Sequence, residues 1–260
     1  MGTLAARHRD EHVVVTGAGT GIGRAIALRL AAEGARLSLL ARDAERLAAT
    51  ADQMEGPRPF IAACDIRDRG AVDVAFAAAV AAQGPLHALV ANSGIGGPNE
   101  PGEADRFDEL VATNLVGTYS CLRAGQRHLA KGHGTRHLVA IASILARIGV
   151  PGYTGYCASK AALLGLVRAL AAEVAAENVQ VNAVCPGWVE TDMAREGLAG
   201  MAQGLGLSLE QAREVAMQDV PMGRMSAPED VAGMVAWLIS EDARGVTGQA
   251  LDMNGGAFMA

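Results

Sequence analysis

The sequence predicts an α/β protein built on one doubly wound parallel sheet of seven strands. Short β-rich runs alternate with longer helical patterns along the whole chain, which is typical of strands joined by crossover helices. A glycine-rich turn follows the first candidate strand and opens the first candidate helix. No repeat, low-complexity tract or Pro- or Ser-rich linker divides the chain. We therefore expect residues 1–260 to form a single domain.

The candidate strands locate the crevice in which a ligand would bind. They are residues 12–16, 36–41, 58–63, 86–91, 137–143, 179–184 and 249–252. In a doubly wound sheet, ligands bind beyond the carboxyl ends of the strands. Gly17, Asp65, Asn92, Ser143 and Pro186 all lie at or just after such ends. One crevice is therefore expected to gather them.

The glycine-rich turn predicts nucleotide binding. It reads Gly17-Ala18-Gly19-Thr20-Gly21-Ile22-Gly23, and the amphipathic helical pattern 24–34 follows directly. Glycines let the backbone turn tightly, and they let a pyrophosphate approach the exposed N–H groups at the positive end of the helix.

Composition excludes several classes of partner. The chain has 260 residues, enough for one large α/β domain, and 50% of them are hydrophobic. Aromatic residues make up only 3%, so the core must consist largely of Ala, Val, Leu and Ile. The net charge of −6 provides no basic surface for nucleic acid or for an anionic membrane.

The sequence also predicts a cytoplasmic protein with neither a membrane span nor a metal site. No segment approaches the ~18 consecutive apolar residues of a span, and residues 1–11 lack the apolar stretch of a secretory signal. The four Cys are widely spaced, which fits reduced and mostly buried thiols. His133 and His137 are four residues apart, but Gly134 lies between them at an expected turn, so we predict no metal ligands there.

The spacing of Ser143, Tyr156 and Lys160 indicates proton transfer. Tyr156 and Lys160 stand at i and i+4, so on a helix both project from one face. A nearby ammonium favours the phenolate form of a tyrosine, and a serine hydroxyl can orient the reacting oxygen. Taken alone, the pair is better explained by a helix with one buried Tyr and one solvated Lys.

Together, these motifs resemble the short-chain dehydrogenase/reductase family, and its 3-oxoacyl reductases in particular, from Val13 to about Gly256. The resemblance implies a Rossmann-type fold. Residues 16–23 match the family's cofactor turn, and Asn92-Ser93-Gly94 matches its Asn-Ala-Gly segment with one substitution. The catalytic tetrad is matched by Asn114, Ser143, Tyr156 and Lys160. Residues 186–191 match the segment that holds the nicotinamide carboxamide.

The resemblance implies a role for each member of the tetrad. Tyr156 would exchange a proton with the substrate oxygen, which Ser143 would position. Lys160 would lower the pKa of Tyr156 and bind the nicotinamide ribose. Asn114, inside a predicted helix over residues 104–131, would anchor a water molecule that links Lys160 to solvent. The alternative for Asn114 is a solvated surface side chain.

The resemblance also implies the cofactor contacts. Asp65 would accept a hydrogen bond from the adenine amino group with Ile66 beside it, although Asp65 could instead cap the predicted helix over residues 71–82. We assign capping to Asp68. The other expected contacts are Gly17, Gly19, Thr20, Gly21, Ile22 and Gly23 in the turn, Asn92 and Gly94 beside the adenosine, Tyr156 and Lys160 at the ribose, and Pro186, Gly187, Val189 and Thr191 at the carboxamide.

The end of the second strand favours NADP(H) over NAD(H). Relatives that prefer NAD carry an acidic residue there, which binds the ribose 2′-hydroxyl and repels a 2′-phosphate. This chain has Ala41 followed by Arg42, whose guanidinium can grip a phosphate. Thr20 stands where many NADP-specific relatives have a second basic residue, so NAD(H) stays open. In the alternative interpretation, Arg42 pairs with Asp43 or Glu45 on the surface.

The resemblance predicts an NAD(P)-dependent oxidoreductase that interconverts a ketone and a secondary alcohol. A silent nucleotide-sensing or scaffold protein, or a lyase or epimerase, are the alternatives on the same fold. The expected pocket is apolar, which suits a 3-oxoacyl thioester or an alicyclic or aromatic ketone. Its expected residues are Ile144, Leu145, Ile148, Val150, Tyr153 and Trp188, with Leu145, Tyr153 and Trp188 as the assigned substrate contacts.

Two further expectations concern the lid and the assembly. Residues 190–225 are rich in Met and Gly and are expected to form a mobile lid over the substrate, or else an ordinary surface hairpin. The family commonly forms dimers of dimers through two long helices, so we expect a homotetramer. Residues 163–170 combine apolar and small side chains that suit close helix approach, but they could equally belong to the core of one chain.

Overall fold

The computed structural model describes residues 6–132 and 134–259. The expectations for His133 and for the first five residues therefore lie outside the described part. All seven predicted strands are present in one parallel sheet. They are β1 (His12–Thr16), β2 (Arg36–Ala41), β3 (Phe60–Ala63), β4 (Ala88–Ala91), β5 (Arg136–Ile141), β6 (Val179–Pro186) and β7 (Ala250–Met253).

Four strand boundaries differ from the prediction by two residues. The fifth strand ends at Ile141 instead of residue 143, the sixth ends at Pro186 instead of residue 184, and the starts of the third and fourth strands lie later than predicted. The third strand begins at Phe60, two residues later than predicted, directly after Pro59, which has no N–H to give to a ladder. The fourth begins at Ala88, because Leu86 pairs only in an isolated bridge with Leu129.

The strand order explains where a ligand can bind. It is β3-β2-β1-β4-β5-β6-β7, so the chain winds outward from β1 to β3 and then returns to place β4 on the other side of β1. A crevice opens where the winding reverses, beyond the carboxyl ends of β1 and β4. The glycine-rich turn follows β1, and Asn92-Ser93-Gly94 follows β4.

Helices cover both faces of the sheet. They are α1 (Gly21–Ala32), α2 (Ala44–Ala51), α3 (Arg69–Gln83), α4 (Phe107–Val111), α5 (Thr118–His128), α6 (Thr154–Val174), α7 (Asp192–Leu205), α8 (Leu209–Gln218) and α9 (Pro228–Leu238). Helices α3, α5 and α6 pack on one face, and α1, α2 and α9 pack on the other. Neighbouring strand residues point to opposite faces, as Val14 and Val15 do, so the sheet separates two apolar layers.

The prediction of one continuous helix over residues 104–131 was wrong. The chain forms α4 and α5 separated by a π-helical segment over Ala112–Gly117. A π-helical turn contains about one residue more than an α-helical turn, so it rotates the side chains that follow around the helix axis. Such segments are frequent at functional sites. Here the π-helical segment contains Asn114, which is completely buried.

The 190–225 segment is a helical hairpin with a small core of its own. Its two helices, α7 and α8, pack together around an apolar cluster. The cluster consists of Ala194, Leu198, Ala216 and Met225, with Trp188, Met201 and Met217 packed against it.

The described residues contain no helix long and apolar enough to cross a bilayer. They also contain no group of three or more His, Cys, Asp or Glu side chains arranged to hold a metal ion. All four cysteines are free thiols, and three of them are buried, as the spacing predicted.

The opposite edge of the sheet, at the amino ends of the strands, contains buried histidines. His12 is completely buried and makes 2.7 Å and 2.8 Å hydrogen bonds through Nδ1 to the Gly84 carbonyl and through Nε2 to the Ser38 hydroxyl. Nδ1 of the half-buried His87, directly before β4, accepts from the His12 backbone N–H at 3.1 Å. His137 is buried on β5. Burial lowers the pKa of His12 and of His137 to about 4 and also lowers that of His87.

We predict that acidification destabilises the fold through these histidines. An unfolded histidine titrates near its ordinary pKa of about 6.5. Below that pH, the histidines of the unfolded chain bind protons, whereas His12 and His137 in the folded chain stay neutral. The free energy of unfolding should therefore be constant with pH above about 6.5 with respect to these groups. It should then fall between about pH 6.5 and pH 4, by roughly 3 kcal/mol for each histidine.

Urea denaturation at several pH values measures this effect. Relative to wild type, His137→Phe should lose less stability between pH 7 and pH 4, because one titrating group is gone. Val74→Ala, at an exposed position on α3, is the control, because it removes no titratable group and should keep the wild-type slope. The same slope in the His137 variant and in wild type would contradict the assignment.

Candidate active site

Helix α6 brings the predicted tyrosine and lysine to the crevice. Asn99 fixes the start of this helix, since its Oδ1 accepts from the Gly155 backbone N–H at 2.7 Å and its Nδ2 donates to the Thr154 hydroxyl at 3.0 Å. Tyr156 and Lys160 then project from one face, and the Lys160 ammonium lies 5.8 Å from the centre of the Tyr156 ring.

Tyr156 lies against Ser143, as the motif predicted. Ser143 follows β5 and is buried, and its hydroxyl is the hydrogen-bond partner of the Tyr156 phenol. The same hydroxyl accepts from the Leu145 backbone N–H at 3.1 Å, which fixes its position. Loss of hydration raises the pKa of Tyr156, and the hydrogen bond from Ser143 offsets only part of that rise.

Lys160 is buried rather than solvated, so the alternative of a solvated lysine was wrong. Its side chain is 4% exposed, and the ammonium donates to the Ile141 carbonyl at 2.8 Å. Burial lowers the pKa of Lys160 to about 8. The pKa of Tyr156 is raised by the loss of hydration, and the expected effect of Lys160 on that pKa stays a prediction.

Asn114 is also buried, which excludes the alternative of a solvated surface residue. Its amide makes two bonds to the backbone of Ile95, accepting from N–H at 2.9 Å and donating to C=O at 3.0 Å. Its Nδ2 also donates to the Ser159 hydroxyl at 3.2 Å, and that hydroxyl donates to the Tyr156 carbonyl at 2.9 Å. Asn114 thus ties the segment after β4 to helix α6.

The backbone at Gly94 passes close to both Asn114 and Lys160. A Cβ at this position would lie 3.1 Å from Asn114 Oδ1 and 3.4 Å from Lys160 Nζ. The Asn114 oxygen has a second lone pair beyond the one that accepts from Ile95. An acceptor and a buried ammonium therefore face the same small space.

The glycine turn has the geometry that a pyrophosphate requires. Gly17 and Gly21 have positive φ angles of 68° and 50°. A Cβ on Gly23 would lie 2.1 Å from the Gly17 carbonyl oxygen, so only glycine allows α1 to begin this close to β1. Thr20 is the N-cap residue of α1 but makes no side-chain capping bond. The first N–H groups of α1 therefore lie beside a close-packed turn, and these residues fit a dinucleotide.

Thr16 connects the turn to the segment after β4. Its hydroxyl oxygen accepts from the backbone N–H groups of Asn92 and Ser93, each at 3.0 Å. The Asn92 amide donates back to the Thr16 carbonyl at 3.0 Å. The two segments that follow β1 and β4 are therefore held together at the reversal of the sheet.

At the adenosine end, Asp68 caps α3 as predicted, accepting from the Ala71 N–H at 3.1 Å. Asp65 does not cap this helix, so that alternative was wrong. It accepts from the Arg67 side chain at 2.6–3.0 Å, and this hydrogen bond, with a smaller contribution from Arg42, lowers the pKa of Asp65. The Ile66 side chain is buried in the core, so only its backbone remains near the crevice.

Arg42 is exposed at the carboxyl end of β2. Asp43 caps α2 by accepting from the Arg46 N–H at 3.0 Å, and it pairs with the Arg46 side chain at 3.2 Å. Among the described residues, no salt bridge includes Arg42, which contradicts the alternative that it pairs with Asp43 or Glu45.

The predicted carboxamide segment follows β6. Gly187 packs against Asn254, where a Cβ would be 2.9 Å from backbone, and Val189 is buried with a backbone bridge to Ser226. Thr191 caps α7 by accepting from the Ala194 N–H at 3.3 Å.

The expected pocket residues lie at different places around the crevice. Leu145, in the short 3₁₀ helix after Ser143, and Tyr153, at the start of α6, are both half-buried. Trp188 packs against the cluster of the 190–225 hairpin.

Several residues of the site carried no assigned role in the sequence. The hydroxyls of Thr16 and Ser159 connect separate segments by hydrogen bonds. Asn99 caps the start of α6. The backbone of Ile95 binds the Asn114 amide, and the carbonyl of Ile141 accepts from Lys160. Thr16 could have been suspected from its place before the glycine turn. The other roles depend on contacts between distant segments, for which spacing gives no signal.

The comparisons with known proteins agree with this geometry. A family model of the short-chain alcohol dehydrogenase type, described as enoyl-(acyl carrier protein) reductase, matches residues 17–257. A protein named as a ketoacyl reductase of the granaticin polyketide synthase in Streptomyces violaceoruber is 41% identical over 254 residues. The match covers 94% of this chain and 91% of that protein.

Two further relatives cover nearly the whole chain. The 3-oxoacyl-(acyl-carrier-protein) reductase MabA of Mycobacterium tuberculosis is 33% identical over 250 residues, which is 95% of this chain and 92% of that protein. A crystal structure of an actinorhodin polyketide ketoreductase variant with NADPH is 38% identical with a TM-score of 0.87. It covers 95% of this chain and 97% of that one.

The chain belongs to the short-chain dehydrogenase/reductase family. It is an oxidoreductase of the ketoreductase type, and its cofactor is a nicotinamide dinucleotide. The scaffold-protein alternative is thereby excluded.

Proposed function

We propose that the protein uses NADPH to reduce the ketone of a 3-oxoacyl thioester, or of a ring ketone derived from one, to a secondary alcohol. The main observation behind the proposal is the hydrogen bond between Ser143 and Tyr156, with the buried ammonium of Lys160 5.8 Å from the centre of the Tyr156 ring. The names of the relatives support the acyl substrate, since they are ketoacyl, 3-oxoacyl and polyketide ketoreductases. A lyase or epimerase has no such support.

Ser143, Tyr156 and Lys160 would each have a separate role in proton transfer. The cofactor, when bound, supplies the hydride that reaches the carbonyl carbon. Ser143 donates a hydrogen bond that holds the substrate oxygen beside Tyr156. Because burial raises the pKa of Tyr156, its phenol is protonated at neutral pH and can give its proton to that oxygen. The Lys160 ammonium then stabilises the phenolate.

The proton on Tyr156 must be replaced after each turnover. We propose that a water molecule occupies the space beside Gly94 and accepts from Lys160 while it donates to Asn114 Oδ1. Both groups lie beside the Gly94 backbone, since a Cβ on Gly94 would be 3.4 Å from Lys160 Nζ and 3.1 Å from Asn114 Oδ1, so one water molecule can bond to both. Lys160 would then connect the active site to solvent, as the family resemblance implies for Asn114.

The 190–225 hairpin is proposed to act as the lid of this single domain. It carries its own apolar cluster and joins the body next to Thr191 and Trp188, so it can move as a unit. Its inner side, with Leu145 and Tyr153 opposite, would enclose the apolar part of the substrate.

The first test replaces the proton donor. Tyr156→Phe should lower kcat by at least ~10²-fold, the low end for loss of general acid catalysis, while folding and NADPH affinity remain close to wild type. Tyr119→Phe, on α5 away from the crevice, is the control and should retain activity. Steady-state kinetics with a 3-oxoacyl thioester analogue provide the measurement, and near wild-type kcat in the Tyr156 variant would refute the mechanism.

The second test concerns the choice between NADPH and NADH. Arg42 is an exposed cation with no carboxylate salt bridge in the described structure, so we propose that it binds the ribose 2′-phosphate. Arg42→Ala should weaken NADPH binding by about tenfold to a hundredfold, the range for a hydrogen bond to a charged group. NADH binding should change by less than about threefold, because NADH lacks the phosphate.

Fluorescence titration measures the affinities for NADPH and NADH in the wild type and in the Arg42 variant. Arg127→Ala removes an exposed, ion-paired arginine from α5 and is the control for loss of charge. Equal losses of NADPH and NADH affinity in the Arg42 variant, or a wild-type preference for NADH, would show that Arg42 does not select the cofactor.

We also propose a homotetramer assembled through the outer faces of α4 to α6. Within residues 163–170 the large apolar side chains Leu163, Leu164, Val167 and Leu170 are buried in the chain's own core. Most exposed positions of α6 are small, including Gly165, although Arg168 and Glu173 are also exposed, and the neighbouring Phe107 and Val116 are exposed. Small residues beside exposed apolar ones favour close helix packing between subunits.

Light scattering tests this assembly. The expected mass at micromolar concentration is four times that of the 26.7 kDa chain. Phe107→Asp together with Val116→Asp should shift it towards smaller species, whereas Val74→Asp, an exposed apolar position on α3, should not. A wild-type monomer would rule out the proposal.

A further inference from the structure

A cavity lined by arginines lies between the glycine turn and the beginning of the lid. Its volume is about 330 Å³. It is lined by Thr20, Gly21 and Arg24 of the turn and α1, by Arg46 of α2, and by Glu190, Thr191, Asp192 and Arg195 of the lid. Three arginines from three separate elements therefore surround one space beside the N-terminus of α1.

The charge of Arg24 is not balanced by a carboxylate. Its side chain donates to the Gly19 carbonyl at 2.6 Å and to the Thr50 hydroxyl at 3.3 Å, and both acceptors are neutral. In the described part of the chain, no ion pair includes Arg24. A half-buried guanidinium thus adds to the positive end of the α1 dipole.

The two acids of the cavity are already engaged. Glu190 pairs with Arg213 of α8 at 2.5 Å, and Asp192 pairs with Arg195 within the first turn of α7. The second pair is a weak surface interaction, since the Arg195 and Asp192 side chains are 72% and 63% exposed. Arg195 can therefore leave Asp192 for an anion of higher charge.

The lid and the glycine turn are in direct contact at this point. A Cβ on Gly21 would lie 3.1 Å from the Thr191 methyl carbon. Arg195 follows Thr191 by one helical turn, and its backbone N–H donates to the Thr191 carbonyl at 3.0 Å. An anion bound at Gly21 is thus within reach of a cation on the lid.

We propose that Arg195 is a cofactor-binding residue of the lid, which grips the pyrophosphate from the side opposite the α1 N-terminus with Arg24 beside it. This assignment rests on the proposed function. Since Arg195 belongs to the lid, its bond to the pyrophosphate holds the lid on the body, so cofactor binding orders the substrate pocket. NADPH and NADH both contain the pyrophosphate, so Arg195 contributes to the binding of both cofactors. Arg42, in contrast, is proposed to distinguish NADPH from NADH.

Trp188 offers a reporter for this coupling. It contacts the lid helix, because a Cβ on Gly197 would lie 3.5 Å from its ring, and it packs against the lid cluster. The other tryptophan, Trp237, packs against the core between α9 and the sheet. Trp237→Phe therefore gives a background in which fluorescence comes from Trp188 alone.

The experiment titrates this background variant with ADP-ribose, which has the pyrophosphate but no nicotinamide ring. Calorimetry measures affinity and Trp188 fluorescence follows the lid. Arg195→Ala should weaken ADP-ribose binding about fivefold to tenfold and reduce the fluorescence change at saturation. Arg195→Lys should recover part of the affinity, and Arg127→Ala should behave as the background.

The loss on Arg195→Ala should be the same with 2′-phospho-ADP-ribose as with ADP-ribose. Unchanged ADP-ribose affinity in Arg195→Ala would overturn the assignment of Arg195 and leave the proposed function intact. If the unsubstituted chain bound no ADP-ribose, the proposed function itself would fail, and this assignment with it.

Discussion

The burial of one ammonium group constrains the whole active site. Lys160 is almost inaccessible to water, and the Ile141 carbonyl is its one direct hydrogen-bond acceptor in the described structure. The fall in its pKa from 10.5 to about 8 corresponds to roughly 3 kcal/mol that disfavours the charged form. The fold tolerates this cost because the end of β5 and the second turn of α6 are held in fixed register. A shift of either element would separate the ammonium from its acceptor.

Two backbone features make that register possible. The π-helical segment Ala112–Gly117 turns Asn114 inward, where its amide holds the Ile95 backbone and the Ser159 hydroxyl. Gly94 then lets the segment after β4 pass between Asn114 and Lys160. Both features place buried polar groups within hydrogen-bond reach of one another.

The sequence predicted the sheet well and the contacts around the site poorly. Alternation of apolar runs with helical patterns located all seven strands, because both faces of a parallel sheet are buried and the pattern is strong. The π-helical segment was missed because its sequence has the same apolar spacing as an α-helix. The i, i+4 spacing predicted that Lys160 lies near Tyr156, but it gave no indication of the loss of hydration that raises the pKa of Tyr156.

The loss of hydration at Tyr156 and Lys160 also bears on the direction of the proposed reaction. A tyrosine whose pKa is raised retains its proton at neutral pH, and a lysine with a pKa of about 8 is still mostly charged there. A protonated phenol beside an ammonium can give up a proton to a carbonyl oxygen that gains negative charge, whereas oxidation of an alcohol would require the phenolate beforehand. Above about pH 8, Lys160 loses its charge, and the phenolate that remains after proton donation loses its stabilising partner. In the proposed mechanism, the raised pKa of Tyr156 therefore suits proton donation, and hence reduction, near neutral pH.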